Sequence, residues 1–516
     1  GRQSTAPYSE WQRRGLGAIV CSANRNASAK RRLNQDSRAV AAVLADRHHS
    51  SRLAMRILQA TSEFFPYSKT GGLADMVAGL SGALAEMGED VTVVTPLYRG
   101  IRDQIPNLKP FGPKVVLPLG KQTFTGRWWE ATESNGLTLL FLEQEGFYDR
   151  PGLYMANGDG YWDNPERFMF LSKAVAQLAG EYDVVHVHDW QTAFVPMLLR
   201  ASGSRVIPRT VLTIHNLAYQ GQCEATRFEI TNLPWNWFHS EGPEFWGSLN
   251  FLKAGLHYAD AITTVSPQYA KEILTPEFGE GLEGVLQSRQ DVLSGILNGV
   301  DYGEWNTVEN PYLAASYDAD DLSGKKVCKQ FLQTKFGLPV SDVPMFGMVS
   351  RLAEQKGIDV LSEALGDILC EKEIQFVGLG SGDDQLAEQL HSLRERFPEQ
   401  VGFENGYSNA LAHQIEAGAD YFVMPSRFEP CGLNQMYSLR YGTIPIVNGV
   451  GGLVDTVRDV GDQQATGLVL NRLSVQALSA AFKNVCDIHG SVQSFEILKR
   501  GMRAEYGWGN SSNQYL

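Results

Sequence analysis

Short apolar runs rich in β-branched residues alternate with longer amphipathic segments along most of the chain, beginning at Met55. The first run, MRILQAT, is followed by a glycine turn and then by a segment of helical period, DMVAGLSGALAEMG. Later runs of the same kind are DVTVVTPLY, LTLLFLE, YDVVHVHDW, TVLTIHN and DAITTVS. Continuous apolar strands that alternate with helices are typical of parallel sheets covered on both faces. The pattern therefore predicts an α/β domain with a doubly wound sheet.

The same layout begins again after ILNGVDYGEWN, at Pro344. Its strands are predicted at MFGMVSRL, IQFVGLGSG, DYFVMPS and IPIVNGVGG, each followed by a helical segment. We therefore predict two doubly wound domains that face each other across a crevice. Because ligands of such sheets bind beyond the carboxyl ends of the strands, that crevice is the predicted functional site.

Length and charge agree with two globular domains and exclude some partners. A chain of 516 residues is too long for one ordinary core. The formal charge is -13, and residues 1–52 hold ten basic residues against three acids, which leaves -20 for the remainder. Such an acidic body is a poor partner for nucleic acid. No apolar run is long enough to predict a membrane span, and the six scattered cysteines predict neither a zinc site nor a disulfide framework.

Residues 1–52 differ from the rest in being rich in Arg, Ser, Asn and Ala and in lacking strand-like runs. Three interpretations stand: a transit peptide, a disordered tail, or sequence that is not native to the protein. We favour a tail or a non-native extension, with a start at Met55, and exclude the segment from the fold.

A glycine motif occurs twice, as GGLADMV at Gly71–Gly72 and as GGLVDTV at Gly451–Gly452. Glycine permits a close backbone approach, and the helix that follows offers free N–H groups and a positive dipole end to an anion. A single copy would predict only a tight turn. Two copies, one of them two residues after Lys69, favour phosphate binding, although neither a P-loop nor a dinucleotide motif is present.

Two further cations, Arg351 and Lys356, lie in VSRLAEQKG, where the first strand of the second domain is predicted to end. A guanidinium and an ammonium in one loop suit a diphosphate. The spacing alone is common on solvated surfaces, so the argument depends on the predicted position facing the crevice.

Seven motifs in order resemble those of bacterial glycogen synthases and plant starch synthases: KTGGLADMV, HVHDWQTA, TIHNLAYQG, ILNGVDYGEWN, VSRLAEQKG, PSRFEPCGLNQMYSLRYGTIPIV and GGLVDTV. The resemblance runs from about Met55 to the end. It implies a GT-B fold, with two Rossmann-like domains facing a deep cleft. The predicted boundaries are 53–296 for the acceptor-side domain, 297–495 for the donor-side domain, and 496–516 for a C-terminal helix that returns to the first domain.

The reaction that the resemblance implies is transfer of glucose from ADP-glucose to the non-reducing end of an α-1,4-glucan, with retention of configuration. No metal and no cofactor are implied, so protein cations must hold the leaving diphosphate. The partners expected are ADP-glucose and glycogen or starch, and the expected location is the cytoplasm, or a plastid if residues 1–52 are a transit segment.

The resemblance also assigns residues to the catalytic site. Lys69, Arg351 and Lys356 match phosphate-contacting positions, and Glu429 matches a glutamate that binds the transferred glucose and stabilises an oxocarbenium-like centre. Glu429 is at the same time a predicted helix N-cap acid, with Pro430 as the first helical residue.

Two residues of the first domain are assigned to the glucose pocket: His188, which contacts the transferred glucose, and Asp163, which lines the pocket. Donor binding is assigned to Gly71, Gly72, Asn298, Tyr407, Gly451, Gly452, Leu453 and Thr456, with the ring of Tyr407 stacked on the adenine. Many GT-B enzymes carry a second glutamate where this chain has Tyr437, which leaves Glu429 to serve alone, as in glycogen and starch synthases.

Three alternatives stay open at this point. They are a plastidial starch synthase, a related transferase that uses UDP-glucose, and a catalytically silent scaffold that binds glucan through the same fold. The presence of Lys69, Arg351, Lys356 and Glu429 argues against the scaffold.

Overall fold

The computed structural model describes residues 54–156 and 158–516. The predicted extension, residues 1–52, lies outside the described residues. The strands that the sequence predicts in both halves of the chain are present, with small differences at their ends.

The strands have the following bounds: β1 Arg56–Ala60, β2 Asp90–Pro96, β3 Lys109–Leu119, β4 Gln122–Thr132, β5 Thr138–Glu143, β6 Met155–Ala156, β7 Asp159–Gly160, β8 Val184–His188, β9 Arg209–Ile214, β10 Gln222–Glu224, β11 Glu244–Phe245, β12 Ser248–Asn250, β13 Ala261–Thr264, β14 Leu293–Gly295, β15 Met345–Leu352, β16 Gln375–Gly382, β17 Val401–Asn405, β18 Tyr421–Met424, β19 Ile444–Asn448 and β20 Leu468–Leu470.

The α-helices are α1 Gly72–Glu86, α2 Ile101–Gln104, α3 Glu145–Tyr148, α4 Asn164–Leu178, α5 Asp189–Thr192, α6 Phe194–Ala201, α7 Phe251–Tyr258, α8 Pro267–Glu272, α9 Glu283–Ser288, α10 Ser323–Phe336, α11 Ile358–Glu371, α12 Asp384–Arg396, α13 Asn409–Gly418, α14 Asn434–Arg440, α15 Gly451–Thr456, α16 Val475–Ile488, α17 Val492–Arg503 and α18 Trp508–Tyr515. Short 3-10 helices are Ala179–Glu181, Ala225–Thr231, Trp235–Trp237, Gln290–Val292 and Glu354–Lys356.

Two large sheets organise the described part of the chain. The first has nine strands in the order β14-β13-β9-β8-β1-β2-β5-β4-β3, and the second has six in the order β17-β16-β15-β18-β19-β20. The second sheet is parallel throughout. The first sheet ends in an antiparallel hairpin, β3–β4, which the sequence analysis missed. Its strands alternate between buried and exposed positions, and the edge strand β3 carries prolines, as an edge position allows.

The chain forms two compact units. The first holds described residues up to 63 together with 85–211 and 221–259, and the second holds 64–84, 212–220 and 260–516. The loop that carries Lys69 therefore belongs to the same unit as Arg351, Lys356 and Glu429. The predicted domain boundaries stay a prediction.

The sheet of the second unit is covered on both faces. Phe346 of β15 and Tyr421 of β18 lie in one apolar cluster, together with side chains of α11, α12 and α16. Their neighbours Met345 and Phe422 lie in the other cluster, with side chains of α10, α13 and α14. Since successive side chains of a strand point to opposite faces, the continuous apolar runs follow directly from burial on both sides.

The end of the chain forms two helices, α17 and α18, and α18 packs on α1. A Cβ atom on Gly79 of α1 would lie 1.9 Å from Nε1 of Trp508, and one on Gly299 would lie 2.5 Å from the same indole. The indole of Trp508 is 9% exposed. Both glycines therefore leave the space that the Trp508 indole occupies.

None of the helices in the described ranges, 54–156 and 158–516, combines the length and the apolar character that a membrane span needs.

Gly79→Ala should lower the midpoint of thermal unfolding, although alanine is the better helix former. The new methyl group would overlap the indole of Trp508, and overpacking of this kind costs about 1 to 3 kcal/mol. Gly366→Ala is the matched control, because a Cβ on this glycine of α11 would meet its nearest neighbour, Leu393, at 3.8 Å. Equal midpoints for the two variants would contradict the packing described here.

Candidate active site

Glu429 lies in the loop between β18 and α14, at the carboxyl end of the strand. Its Oε2 accepts hydrogen bonds from Nζ of Lys356 at 2.5 Å and from Oγ of Ser426 at 2.9 Å. Glu429 is 6% exposed. A carboxylate this deeply buried requires a paired charge and hydrogen bonds, and Lys356 and Ser426 supply both.

The predicted N-cap role of Glu429 is wrong. Helix α14 begins at Asn434, with Leu433 as its N-cap residue, rather than at Pro430. Gly432 has φ +70, a left-handed conformation that interrupts any helix begun at Pro430. The carboxylate is therefore held by Lys356 and Ser426.

The second glycine turn packs against the backbone that carries Glu429. A Cβ on Gly451 would lie 2.0 Å from the carbonyl oxygen of Glu429, and a Cβ on Gly452 would lie 2.1 Å from that of Cys431. Gly451 also has φ +45. Glycine is thus required at both positions by close backbone contact within the protein.

The N–H groups of this turn have acceptors within the protein. Gly451 donates to Oε1 of Glu272 at 2.9 Å, and Gly452 donates to the carbonyl oxygen of Glu429 at 3.1 Å. A diphosphate bound by these two groups would have to replace those acceptors. Leu453 and Thr456, one and four residues further on, have buried side chains.

The first glycine turn has more open surroundings. A Cβ on Gly71 would meet nothing within 4 Å, and one on Gly72 would meet only Cδ1 of Leu433, at 3.5 Å. Lys69, just before the turn, forms an ion pair with Asp75 in the first turn of α1, with Nζ 2.7 Å from Oδ1. The space over these glycines and the nearby ammonium are features of an anion site.

Arg351 and Tyr407 have exposed side chains in the predicted site. Arg351 is the penultimate residue of β15, and its guanidinium has no hydrogen-bond or ion-pair partner in the part of the chain described. Tyr407 follows β17 and is 75% exposed, so its ring is open to stacking. Asn298 is buried beside Cys431, and its Oδ1 has no partner among the described residues.

The two predicted residues of the first unit are engaged with neighbours. His188 ends β8 and is fully buried, with Nε2 2.8 Å from Oε1 of Gln59. Asp163 precedes α4 and forms a bidentate ion pair with Arg150, at 2.7 and 2.6 Å. The carboxyl group of Asp163 is thereby held by a guanidinium in a planar, bidentate geometry.

Tyr437 stands where many GT-B enzymes have a second glutamate, and its ring is part of a buried stack. Its centroid lies 3.7 Å from that of Trp305, whose other face lies 4.0 Å from His413. His413 beside Glu304 lowers the pKa of that carboxyl. Tyr437 therefore packs in the core of this unit, where its ring is buried.

A cavity of about 250 Å³ in the second unit adjoins the loop of Glu429. It is lined by Ala218, Tyr269, Glu277, Phe278, Glu280, Arg427 and Phe428. None of these residues was predicted as a site residue, yet Phe428 directly precedes Glu429.

The structure thus brings one subset of the predicted residues together. Lys356, Gly72, Asn298, Gly451 and Gly452 all contact the segment from Glu429 to Leu433 or hydrogen-bond to it. Sequence reasoning missed Ser426 and Glu272. Ser426 lies inside a quoted motif, whereas Glu272 is distant in sequence and gives no local signal.

Burial raises the pKa of the Cys431 thiol to about 12, which fits a packing role.

Two α/β sheets built largely of parallel strands, with a buried glutamate held by a lysine at a strand end, agree with a glycosyltransferase of the GT-B class. A family model described as "Starch synthase catalytic domain" matches residues 56–288, and one described as "Glycosyl transferases group 1" matches residues 332–495. The predicted fold class is confirmed by these matches and by the similar solved structures described next.

Curated relatives match over nearly their whole length. The chain is 46% identical over 471 residues to a glycogen synthase of Myxococcus xanthus, covering 89% of this chain and 98% of that one. It is 45% identical over 484 residues to a glycogen synthase of Thioalkalivibrio sulfidiphilus, covering 90% and 98%. The chain belongs to the glycogen and starch synthase family.

Solved structures agree. The catalytic domain of starch synthase IV from Arabidopsis thaliana, bound to ADP and acarbose, matches with a TM-score of 0.82 and 31% identity, over 90% of this chain and 98% of that one. Sucrose-phosphate synthase from Thermosynechococcus elongatus matches with a TM-score of 0.57 and 19% identity, over 89% and 97%, which shows the fold alone. The chain is accordingly a glucosyltransferase.

Ser426→Ala should lower kcat for glucosyl transfer to glycogen by about tenfold, the typical effect of one lost hydrogen bond to a charged group. The Lys356 ion pair would remain, so the variant should still fold, with a thermal midpoint lowered by roughly a few degrees. Ser362→Ala is the matched control, because Ser362 is buried in α11 and its hydroxyl has no partner among the described residues. An unchanged kcat for Ser426→Ala would show that this hydroxyl does not matter to Glu429.

Proposed function

We propose that the protein is a glycogen or starch synthase that transfers glucose from ADP-glucose to the non-reducing end of an α-1,4-glucan, with retention of configuration. The observation that carries the proposal is the buried ion pair of Glu429 and Lys356 in a chain of this family. The starch synthase IV structure, bound to ADP and acarbose, supports an ADP-sugar donor and a glucan acceptor for this chain as well.

In this proposal Lys69, Arg351 and Lys356 stabilise the charge that grows on ADP as the glycosidic bond breaks. Glu429 hydrogen-bonds the transferred glucose and stabilises positive charge at its anomeric carbon. Lys356 is shared between these tasks, because its ammonium already touches the Glu429 carboxylate. Tyr407, exposed at a strand end, stacks on the adenine.

The acceptor hydroxyl is proposed to attack from the face that ADP leaves, with the departing phosphate accepting its proton. The bond from glucose to the phosphate oxygen breaks as the bond to the acceptor oxygen forms, so atoms and charge balance. The buried Glu429 is held by a lysine and a serine, which suits electrostatic stabilisation better than nucleophilic attack. His188 and Asp163 are proposed to line the glucose pocket.

The expected location of the enzyme is the cytoplasm.

ADP release from ADP-glucose should depend on glycogen and should fall in Lys69→Ala and Glu429→Gln by roughly a hundred- to a thousandfold in kcat. Lys326→Ala is the matched control, because this lysine is 62% exposed in a loose pair with Asp342. The assay is run with ADP-glucose and with UDP-glucose as competing donors. Thermal midpoints show whether each variant is folded.

The outcomes of this assay separate the alternatives. Glucan binding without ADP release would indicate the silent scaffold, and preference for UDP-glucose would indicate the related transferase. Full activity in both Lys69→Ala and Glu429→Gln would contradict the site assignment.

The transfer rate should be unchanged after exhaustive treatment with a metal chelator. Three protein cations are proposed to take the role that a divalent ion has in other transferases. A rate that falls on chelation and returns on addition of Mg²⁺ or Mn²⁺ would overturn this part of the proposal.

A further inference from the structure

Two short helices, α8 and α15, are joined by a reciprocal pair of hydrogen bonds. The N–H of Gln268, near the start of α8, donates to Oδ2 of Asp455 on α15 at 2.9 Å. In return, the N–H of Gly451, at the start of α15, donates to Oε1 of Glu272 at the end of α8 at 2.9 Å. The two helices are therefore fixed to each other at both ends.

The two bonds differ in their surroundings. The bond between Gln268 and Asp455 is exposed, whereas that between Gly451 and Glu272 is buried. Glu272 is 8% exposed, and its second carboxylate oxygen, Oε2, is buried without a partner in the described part of the chain. Burial raises the pKa of Glu272. Burying a carboxylate with one oxygen unsatisfied is unfavourable, so this contact is not explained by packing alone.

The Gly451–Gly452 turn, whose first N–H donates to Glu272, also contacts the backbone of Glu429. Gly451 and Gly452 lie so close to the backbone at Glu429 and Cys431 that no side chain fits between them, and Gly452 donates to the carbonyl oxygen of Glu429. A shift of the turn by a fraction of an ångström would therefore move the backbone that carries the Glu429 carboxylate. Misplacement on this scale is sufficient to lower a catalytic rate.

We propose that Glu272 is a positioning residue: it holds the Gly451–Gly452 turn against the Glu429 backbone and thereby keeps the Glu429 carboxylate on the reacting glucose. This inference deepens the proposed function and rests on it. Glu272 lies in the segment matched by the starch synthase catalytic domain, and the turn lies in the segment matched by group 1 glycosyl transferases. The contact thus ties the two matched segments together inside the second compact unit.

The test compares Glu272→Ala, Glu272→Gln and the control Glu371→Ala. Glu272→Ala leaves the N–H of Gly451 buried without an acceptor, and we expect kcat to fall about 10- to 100-fold, with a smaller change in KM for the donor. Glu272→Gln keeps an acceptor oxygen in place and should restore kcat to within about threefold of the wild type. Glu371 belongs to an exposed ion pair with Lys483, so Glu371→Ala should leave kcat unchanged.

A double-mutant cycle with Glu429→Gln distinguishes positioning from a general structural role. If Glu272 acts through Glu429, the loss caused by Glu272→Ala should largely disappear once Glu429 is already replaced. Additive losses in kcat, or a kcat for Glu272→Ala equal to that of the wild type, would overturn the inference.

Hydrogen exchange of the folded chain provides a measurement that does not depend on activity. In Glu272→Ala, amides of residues 449–457 and 429–432 should exchange faster than in the wild type, while those of α11 keep their rates. Unchanged exchange in both segments would overturn the inference even if the wild type showed no transferase activity. Faster exchange with an inactive wild type would sustain the contact and reject the proposed function.

Discussion

The close approach of two backbone segments, Gly451–Gly452 and Glu429–Cys431, is the constraint on which the candidate site depends. A Cβ atom on Gly451 would lie 2.0 Å from the carbonyl oxygen of Glu429, and one on Gly452 would lie 2.1 Å from that of Cys431. Only this contact allows the N–H of Gly452 to reach the Glu429 carbonyl. The backbone of the loop before α14 is thereby held by Gly452, while Ser426 and Lys356 hold the Glu429 carboxylate.

Two of the three cations of the proposed site are already paired with carboxylates of the protein before any ligand is considered. Lys356 pairs with Glu429, and Lys69 pairs with Asp75, while the guanidinium of Arg351 is exposed. Paired cations are oriented by their partners and lose less side-chain entropy when an anion arrives. Arg351, which lacks such a partner in the described structure, has to be ordered by the ligand itself. The three cations proposed to hold the diphosphate therefore differ in how far they are arranged in advance.

Much of the fold could be predicted because a strand that is buried on both faces is a continuous apolar run in the sequence. Met345 and Phe346, for example, are neighbours in β15 and pack in the two different apolar clusters. The hairpin β3–β4 was missed because its strands alternate between buried and exposed positions and so lack a continuous apolar run, and β3 also carries prolines. Lys356 and Glu429 were each assigned from a motif, but the ion pair between them was not predicted. Glu272 could not have been found, since its effect depends on a contact with Gly451, 179 positions away.

The repeated Gly-Gly-Leu motif shows what a short sequence pattern determines. In both copies it starts a helix, as the pattern predicts. The surroundings differ, because a side chain would have room at both glycines of the first copy. The second pair is packed against protein backbone, and its N–H groups donate to Glu272 and Glu429. Identical residues therefore leave room above the backbone in one place and are closely packed against backbone in the other. The difference comes from the tertiary structure, which brings the Glu272 carboxylate to the N–H of Gly451 and the Glu429 carbonyl oxygen to the N–H of Gly452.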